Sequence, residues 1–365
     1  MNREESLKEF KEKVVKTLEE ESISVFEKKF KDDEEKVKEI IINGMKSLIS
    51  KANEIREEEK KIAVFQFELL RINILNESYK ILIHGYSSSW YLDTKSIYEE
   101  IDLRFLFETF ITFKEKLIKE KRIYMGKVND YDIQKIMFES VVKCYKDMSK
   151  TVRNWFWNLD EEKWIKESSL EDFYLVKWSE YQGRSETLFA MDNREKNIKE
   201  LLELKKQPKE KLPFVYTVWK DSTLEDGDLT KQNMLFISFK GSKLKNINLS
   251  ESDIIRGQFK DTEIRKCIFK KCRLIGSSFE NSKIEDSDFS SGDCTGVDFR
   301  KADLRYVDFS NSNLKNSNFI NAKIKNVSFE GADLEDAIFS AKDIPFINLT
   351  SGQLQTIYID GGEEI

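Results

Sequence analysis

Proline, histidine and cysteine are scarce, at 3, 1 and 4 in a chain of 365 residues. With His84 as the only histidine, histidine-rich metal sites and paired-histidine mechanisms are excluded. It sits in the apolar run Ile81-Leu82-Ile83-His84-Gly85, which reads as a structurally satisfied histidine near a helix end. There is no Gly-rich phosphate loop, no Gly-x-Ser-x-Gly elbow and no His-Glu-x-x-His, so no catalytic or cofactor signature is present. No apolar run approaches 18 residues, and the chain opens on the charged Met1-Asn2-Arg3-Glu4-Glu5. Neither a membrane span nor a signal peptide is expected, and the cytoplasm is the expected compartment. Hydrophobic residues make up 39% and charged residues 35%, enough for a solvated surface over two or three domain cores.

What is abundant is a period of five. Every fifth residue from Leu224 to Ile359 is apolar, 28 positions without a slip. Five matches neither the 3.6 period of a helix nor the 2.0 period of a strand. A short period held this long indicates a solenoid, whose repeats bury themselves only against their neighbours. The residue two before each centre is small or modest, as at Ser252, Gly257, Thr262, Ala302 and Ser317. Two inward and three outward residues per five describe a chain that turns a corner at every repeat. Cys267 and Cys272 fall on the small inward position and Cys294 on a centre, so they read as core rather than metal ligands.

Segments such as Ala302-Asp303-Leu304-Arg305-Tyr306 and Ala332-Asp333-Leu334-Glu335-Asp336 closely resemble the pentapeptide-repeat family. The resemblance implies a right-handed, four-sided β-helix with four pentapeptides per coil, and 28 centres then make about seven coils. At ~4.8 Å per coil the rod is about 34 Å long. Residues 20 apart stack, so one face reads Phe239, Phe259, Phe279, Phe299, Phe319, Phe339 and the opposite face Phe269, Phe289, Phe309, Phe329. These ten are the expected structural core.

The first 207 residues resemble no family. Leu7, Phe10, Val14 and Leu18, then Val37, Ile40, Ile41, Met45 and Leu48, have helical spacing. The run Val64 to Leu75 is apolar more nearly all round and reads as a central helix. Further helices are expected near 96–119 and 130–158, the latter capped by Asn129 or Asp130. The expected architecture is an all-α helical bundle followed by the right-handed quadrilateral β-helix. Its divisions are a mainly helical domain 1–207 with an aromatic-rich subdomain 160–207, a linker 208–213 between Pro208 and Pro213, and the β-helix 214–365. Trp155, Trp164, Trp178 and their aromatic neighbours read as packing the bundle onto the solenoid, with Phe173 to Met191 as a hairpin. The helical domain is the expected cap of the first coil.

Function is read from charge. Residues 221–365 carry 19 Lys and Arg against 24 Asp and Glu. Some members of the resembled family mimic B-DNA and protect a type II topoisomerase, gyrase, from quinolones. A mimic needs continuous acidic stripes to match one duplex charge per ~1.7 Å. Here the face centred on Leu244 to Ile324 displays Lys243, Lys245, Arg265, Lys283, Arg305, Lys323 and Lys325, interspersed with acids, as the candidate interaction surface. The leading expectation is a non-enzymatic scaffold that binds a protein partner; DNA mimicry and an unrecognised activity in the helical domain are the alternatives. Nucleic-acid binding is disfavoured by the acidic balance. Ile357, Tyr358 and Ile359 are the candidate contact of a homodimer across an uncovered last coil.

The inward and outward assignment has a direct check. Phe299→Ala should cost about 3–5 kcal/mol through lost burial and a cavity. Lys301→Ala should cost under ~0.5 kcal/mol. Equal losses in denaturant unfolding would reject the assignment.

Overall fold

The structure, a computed structural model, describes residues 2–54, 61–93, 96–181 and 183–361. The chain divides into two compact units, one ending at Met191 and the other beginning at Asp192.

The first unit has helices where Leu7–Leu18, Val37–Leu48 and 130–158 imply them, whereas the helix expected near 96–119 starts only at Arg104 after a strand, and a sheet lies among the helices. Helices α1 (Arg3–Phe10), α2 (Lys16–Asp32) and α3 (Glu34–Glu54) lead to strand β1 (Ile62–Leu69) and the short α4 (Arg71–Leu75). Strands β2 (Lys80–Tyr86) and β3 (Ile97–Asp102) precede α5 (Arg104–Glu120), α6 (Asp130–Trp155) and α7 (Lys163–Lys166). The unit closes with β4 (Leu170–Glu180) and β5 (Glu186–Asp192), giving the sheet order β3-β2-β1-β4-β5. It is therefore an α+β unit rather than an all-α bundle.

The run from Val64, expected as a helix, is the central strand. It pairs antiparallel with β2 and parallel with β4, and all eight of its residues are buried. A strand buried on both faces loses the alternation that marks half-buried strands, so its sequence looks like a buried helix. His84 likewise lies within β2, not at a helix end. Asn129 does cap α6: its side chain accepts from Asp132 N, and the Asp132 carboxylate accepts from Asn129 N in return.

The aromatic segment mainly fills the first unit's own core. The Trp178 ring stacks on Tyr145 at 4.4 Å and on Phe67 at 5.3 Å, and its Nε1 donates to the Tyr145 carbonyl. Helix α3 crosses the sheet so closely that a Cβ on Gly44 would lie 2.6 Å from Ile83 and Ile101.

The second unit begins earlier than the expected 214. Helix α8 (Ile198–Lys205) belongs to it, with Leu201 fully buried in the solenoid core and Ile198 against Gly227. Pro208 to Pro213 is thus a turn inside this unit, not a linker, and α8 covers the first coil. Phe214 and Trp219, in phase with the fives, are already buried members of that coil.

The coils are held by a backbone ladder of step 20. Val218, Ser238, Gln258, Ser278, Asp298 and Asn318 form successive parallel bridges. Between coils the N–H of Leu229 donates to Asn248 O, Met234 to Asp253 O and Phe239 to Gln258 O, each at 2.7 Å. On one side the bridges widen into a six-stranded parallel sheet of β6 (Thr223–Asp228), β7 (Lys243–Asn248), β8 (Glu263–Arg265), β9 (Lys283–Glu285), β10 (Asp303–Arg305) and β12 (Lys323–Lys325). β11 (Asn318–Phe319) and β13 (Ile338–Ser340) belong to another side.

Each corner depends on one residue. Every fifth residue from Tyr216 to Asp336 is left-handed, with φ between +51° and +71°. Most of these are Asn, Asp or Gly, the types that reach this region at least cost. The residue before each centre often closes an Asx turn: Asp288, Asp308 and Asn318 accept from the backbone N–H two residues on at 2.7, 2.8 and 2.9 Å. Inward hydroxyls tie adjacent coils, as where Ser252, Thr262 and Ser277 donate to the carbonyls of Leu229, Phe239 and Ile254.

Beyond Phe339 the coil departs from its pattern although the sequence keeps its phase. A 3₁₀ turn (Ile344–Phe346) and helix α9 (Ser351–Thr356) replace two sides before β14 (Tyr358–Asp360) returns to pair Ile359 with Phe339. α9 partly covers the last coil, contrary to the expectation of no helix there. Its Gln353 Nε2 donates to the carbonyls of Phe329 and Ala332 at 2.8 and 2.9 Å.

Gly296 isolates the price of a corner: its φ is +65° and nothing lies within 4 Å of a Cβ placed there. Gly296→Ala should destabilise by about 1 kcal/mol, and Gly296→Asn by less, from backbone conformation alone. Denaturant midpoints that put Ala level with Gly would reject the corner as a source of strain.

Candidate interaction surfaces

The interior of the β-helix is filled. Rings of the Phe239 column repeat at 4.5–5.4 Å and those of the Phe269 column at 4.5–5.7 Å. The columns meet edge to face along the axis, for example Phe299 against Phe309 at 5.3 Å and 75°. All ten phenylalanines are buried. The cysteines are buried among them, and burial pushes the Cys267 thiol up to about 11 and the Cys272 thiol up to about 12. Such thiols are poor nucleophiles and poor ligands at neutral pH. Chemistry on this unit is thus confined to its outside.

The seven basic residues singled out on the Leu244–Ile324 face all lie on the six-stranded sheet, either one before or one after its centres. The first column runs Lys243, Glu263, Lys283, Asp303, Lys323, alternating in sign at every coil. The other runs Lys245, Arg265, Glu285, Arg305, Lys325. Neighbouring coils pair these charges: Lys245 with Glu225 at 3.4 Å, Lys243 with Glu263 at 4.0 Å and Arg265 with Glu285 at 3.2 Å. Within one strand Arg305 makes a two-pronged contact with Asp303 at 2.8 Å, and this hydrogen bond raises the guanidinium pKa. The face is a ladder of charge pairs with a net positive balance, seven basic against three acidic residues in the two columns, and not an unbroken basic patch. On another side, Arg273 meets Asp253 at 3.1 Å and Lys315 meets Asp333 at 3.3 Å, so the acidic stripe there is broken by direct pairing.

At the C-terminal end, Ile357 is half-buried, while Tyr358 and Ile359 are 61% and 51% exposed on β14, the outer strand of the sheet β11-β13-β14. Phe346 nearby is 82% exposed. The positive-φ corner and the Asx turn were missed in the sequence, though the recurrence of Asn, Asp and Gly two residues after each centre was a usable signal.

Residues 262–339 match the family model described as a pentapeptide repeat region. Among solved structures the chain is similar to a pentapeptide repeat protein from the Arabidopsis thaliana thylakoid lumen. That match has 29% identity, covers 29% of this chain and 67% of that one, and has a TM-score of 0.21. It is also similar to HetL, a pentapeptide repeat protein involved in heterocyst differentiation regulation in the cyanobacterium Nostoc sp. strain PCC 7120. There the identity is 14%, over 40% of this chain and 84% of that one, with a TM-score of 0.16. A third match is QnrB1, a plasmid-mediated fluoroquinolone resistance protein, at 17% identity over 40% and 84% and a TM-score of 0.18. No curated protein matches the chain. The family match and the step-20 ladder make the repeat region a pentapeptide-repeat β-helix.

The charge ladder makes its own prediction. Lys283→Glu would place three acids in succession at positions 263, 283 and 303, ~4.8 Å apart along the column. The variant should lose on the order of 1 kcal/mol at low salt and recover most of it in about 1 M NaCl, where the Debye length falls to ~3 Å. A loss independent of salt would sink the ladder interpretation.

Proposed function

We propose that this protein is a non-enzymatic scaffold, in which the β-helix presents a rigid face of laddered, net positive charge to a protein partner. The filled core carries the reading: two interlocked phenylalanine columns leave a surface as the part of the rod that can engage another molecule. The ladder supports it further, since backbone pairing at every coil holds outward side chains at fixed spacing without ordering on binding. DNA mimicry is the second reading, favoured by the net acidity of the repeat region and weakened by the pairing of its acids with Lys and Arg. The exposed edge strand with Tyr358 and Ile359 favours a two-fold homodimer through the C-terminal coil, because pairing two such edges satisfies both.

Three measurements on the full chain separate these readings. Gyrase supercoiling should be unaffected at low micromolar protein; inhibition would put mimicry first. Affinity capture should recover a specific protein whose binding is lost when Lys245 and Lys325 are both changed to Glu; retention by that variant would count against the sheet face. Light scattering should give a dimer that Ile359→Asp dissociates, and a monomeric wild type at tens of micromolar would remove the dimer.

A further inference from the structure

The first unit has a cavity of ≈ 730 Å³ at the end of β1, well inside the ~300–1,000 Å³ of small-molecule sites. Leu70, Ile72, Leu82 and Tyr181 supply apolar walls, and Arg71, His84 and Glu180 converge on it. These residues come from three separate stretches of the chain, which the sheet brings together. Leu82 and His84 share one face of β2, opposite Glu68 and Gln66 of β1. The end of β4 supplies Glu180 and the turn after it Tyr181, fastened by Tyr181 N donating to Leu69 O at 3.1 Å. Gly183 is needed there, since a Cβ on it would lie 2.4 Å from Glu180 Cγ.

Two features mark this cavity as more than a surface dent. Behind its wall Glu68 is 4% exposed, and its Oε2 has no hydrogen-bond partner among the described residues; His84 Nε2 lies 3.4 Å away. His84 Nδ1 and Gln66 Oε1 are also buried and unpartnered, a concentration of unmet polar atoms that native cores avoid. The second feature is charge. Burial pushes Glu68 up to about 7 and lowers the His84 pKa, so the imidazole is uncharged at neutral pH. Arg71 and Glu180 are left as the fixed charges of the lining. They face each other at 3.7 Å, an ion pair outside hydrogen-bond range, with the Arg71 side chain 67% exposed, and the other Glu180 oxygen meets Lys146 Nζ, outside the lining, at 3.8 Å.

Within the lining, one cation and one anion side by side over an otherwise apolar wall match a ligand with the same two charges on adjacent atoms and an apolar tail. We propose that this cavity binds a free apolar α-amino acid. Arg71 receives the α-carboxylate through its planar fork, Glu180 receives the ammonium, and the side chain lies against Leu70, Ile72, Leu82 and Tyr181. The site makes the first unit a ligand-responsive module, independently of whether the β-helix is a scaffold.

His84 provides an unambiguous reporter, because it is the chain's only histidine. Its ring signals should be followed by proton–nitrogen NMR in the full-length protein during titration with L-leucine, L-phenylalanine, N-acetyl-leucine and leucinamide. At least one free amino acid should shift the His84 signals saturably with a Kd near or below about 1 mM. N-acetyl-leucine, lacking the ammonium, and leucinamide, lacking the carboxylate, should bind at least roughly tenfold more weakly. Arg71→Gln and Glu180→Gln should each weaken the amino acid by a similar factor. The proposal is overturned if neither amino acid moves the signals up to about 10 mM. It is equally overturned if the blocked analogues bind as well as leucine. The ligand arms need no variant, so misfolding of a mutant cannot rescue the idea.

Discussion

The left-handed residue at every corner is the constraint on which the β-helix depends. Twenty-residue coils close only if the backbone turns at each fifth position, and from Tyr216 to Asp336 it does so without exception. For a residue with a side chain that conformation costs about 1–2 kcal/mol. Asn, Asp and Gly reduce the cost, while the inter-coil hydrogen bonds and buried centres offset the remainder. The corners also explain why small residues line the position two before each centre. There the chain passes close under the coil above, as at Gly292, where a Cβ would lie 3.2 Å from the Cys272 carbonyl. Hydroxyls fit the same space and can bond a carbonyl of the neighbouring coil, which makes Ser and Thr there part of the ladder.

Once coils stack in register, surface chemistry becomes columnar. A residue's neighbours are those 20 positions away, so like charges on one column would repel down its length. Alternation of Lys243, Glu263, Lys283, Asp303 and Lys323 removes that penalty on one column, while the neighbouring one keeps like charges on adjacent coils at Lys245 and Arg265 and at Arg305 and Lys325. The same geometry turns Asn246 and Asp226, or Asn281 and Asp261, into bonded corner pairs. Such a surface is stiff, and its acids are paired locally with Lys and Arg. It is unlike the continuous phosphate line of a duplex, which is why net acidity alone is a poor guide to what this rod resembles.

The first unit follows different logic. Its sheet is assembled from strands far apart in sequence, with β1 bonded to β2 on one side and to β4, about a hundred residues later, on the other. That arrangement gathers Arg71, His84 and Glu180 around one cavity. In the sequence Arg71 and His84 are thirteen residues apart and Glu180 is far from both, so no motif spacing signals them. His84 looked like a residue satisfied by its surroundings; its Nδ1 is buried without a partner.

The sequence by itself determined the coil: its period and its two phenylalanine columns. In a solenoid every contact is with the adjacent repeat, so a local pattern carries the whole fold. It also determined the helices with one apolar face, and an N-cap for α6 at Asn129 or Asp130, of which the structure uses Asn129. Only the tertiary structure decided that Val64 to Leu69 is a strand, because burial on both faces erases the period that distinguishes the two. Only it decided that α8 belongs with the first coil, and that α9 and β14 finish the last one despite unbroken phase. Those outcomes rest on packing between residues distant in the chain, where the free energy of burial overrides what any short window prefers.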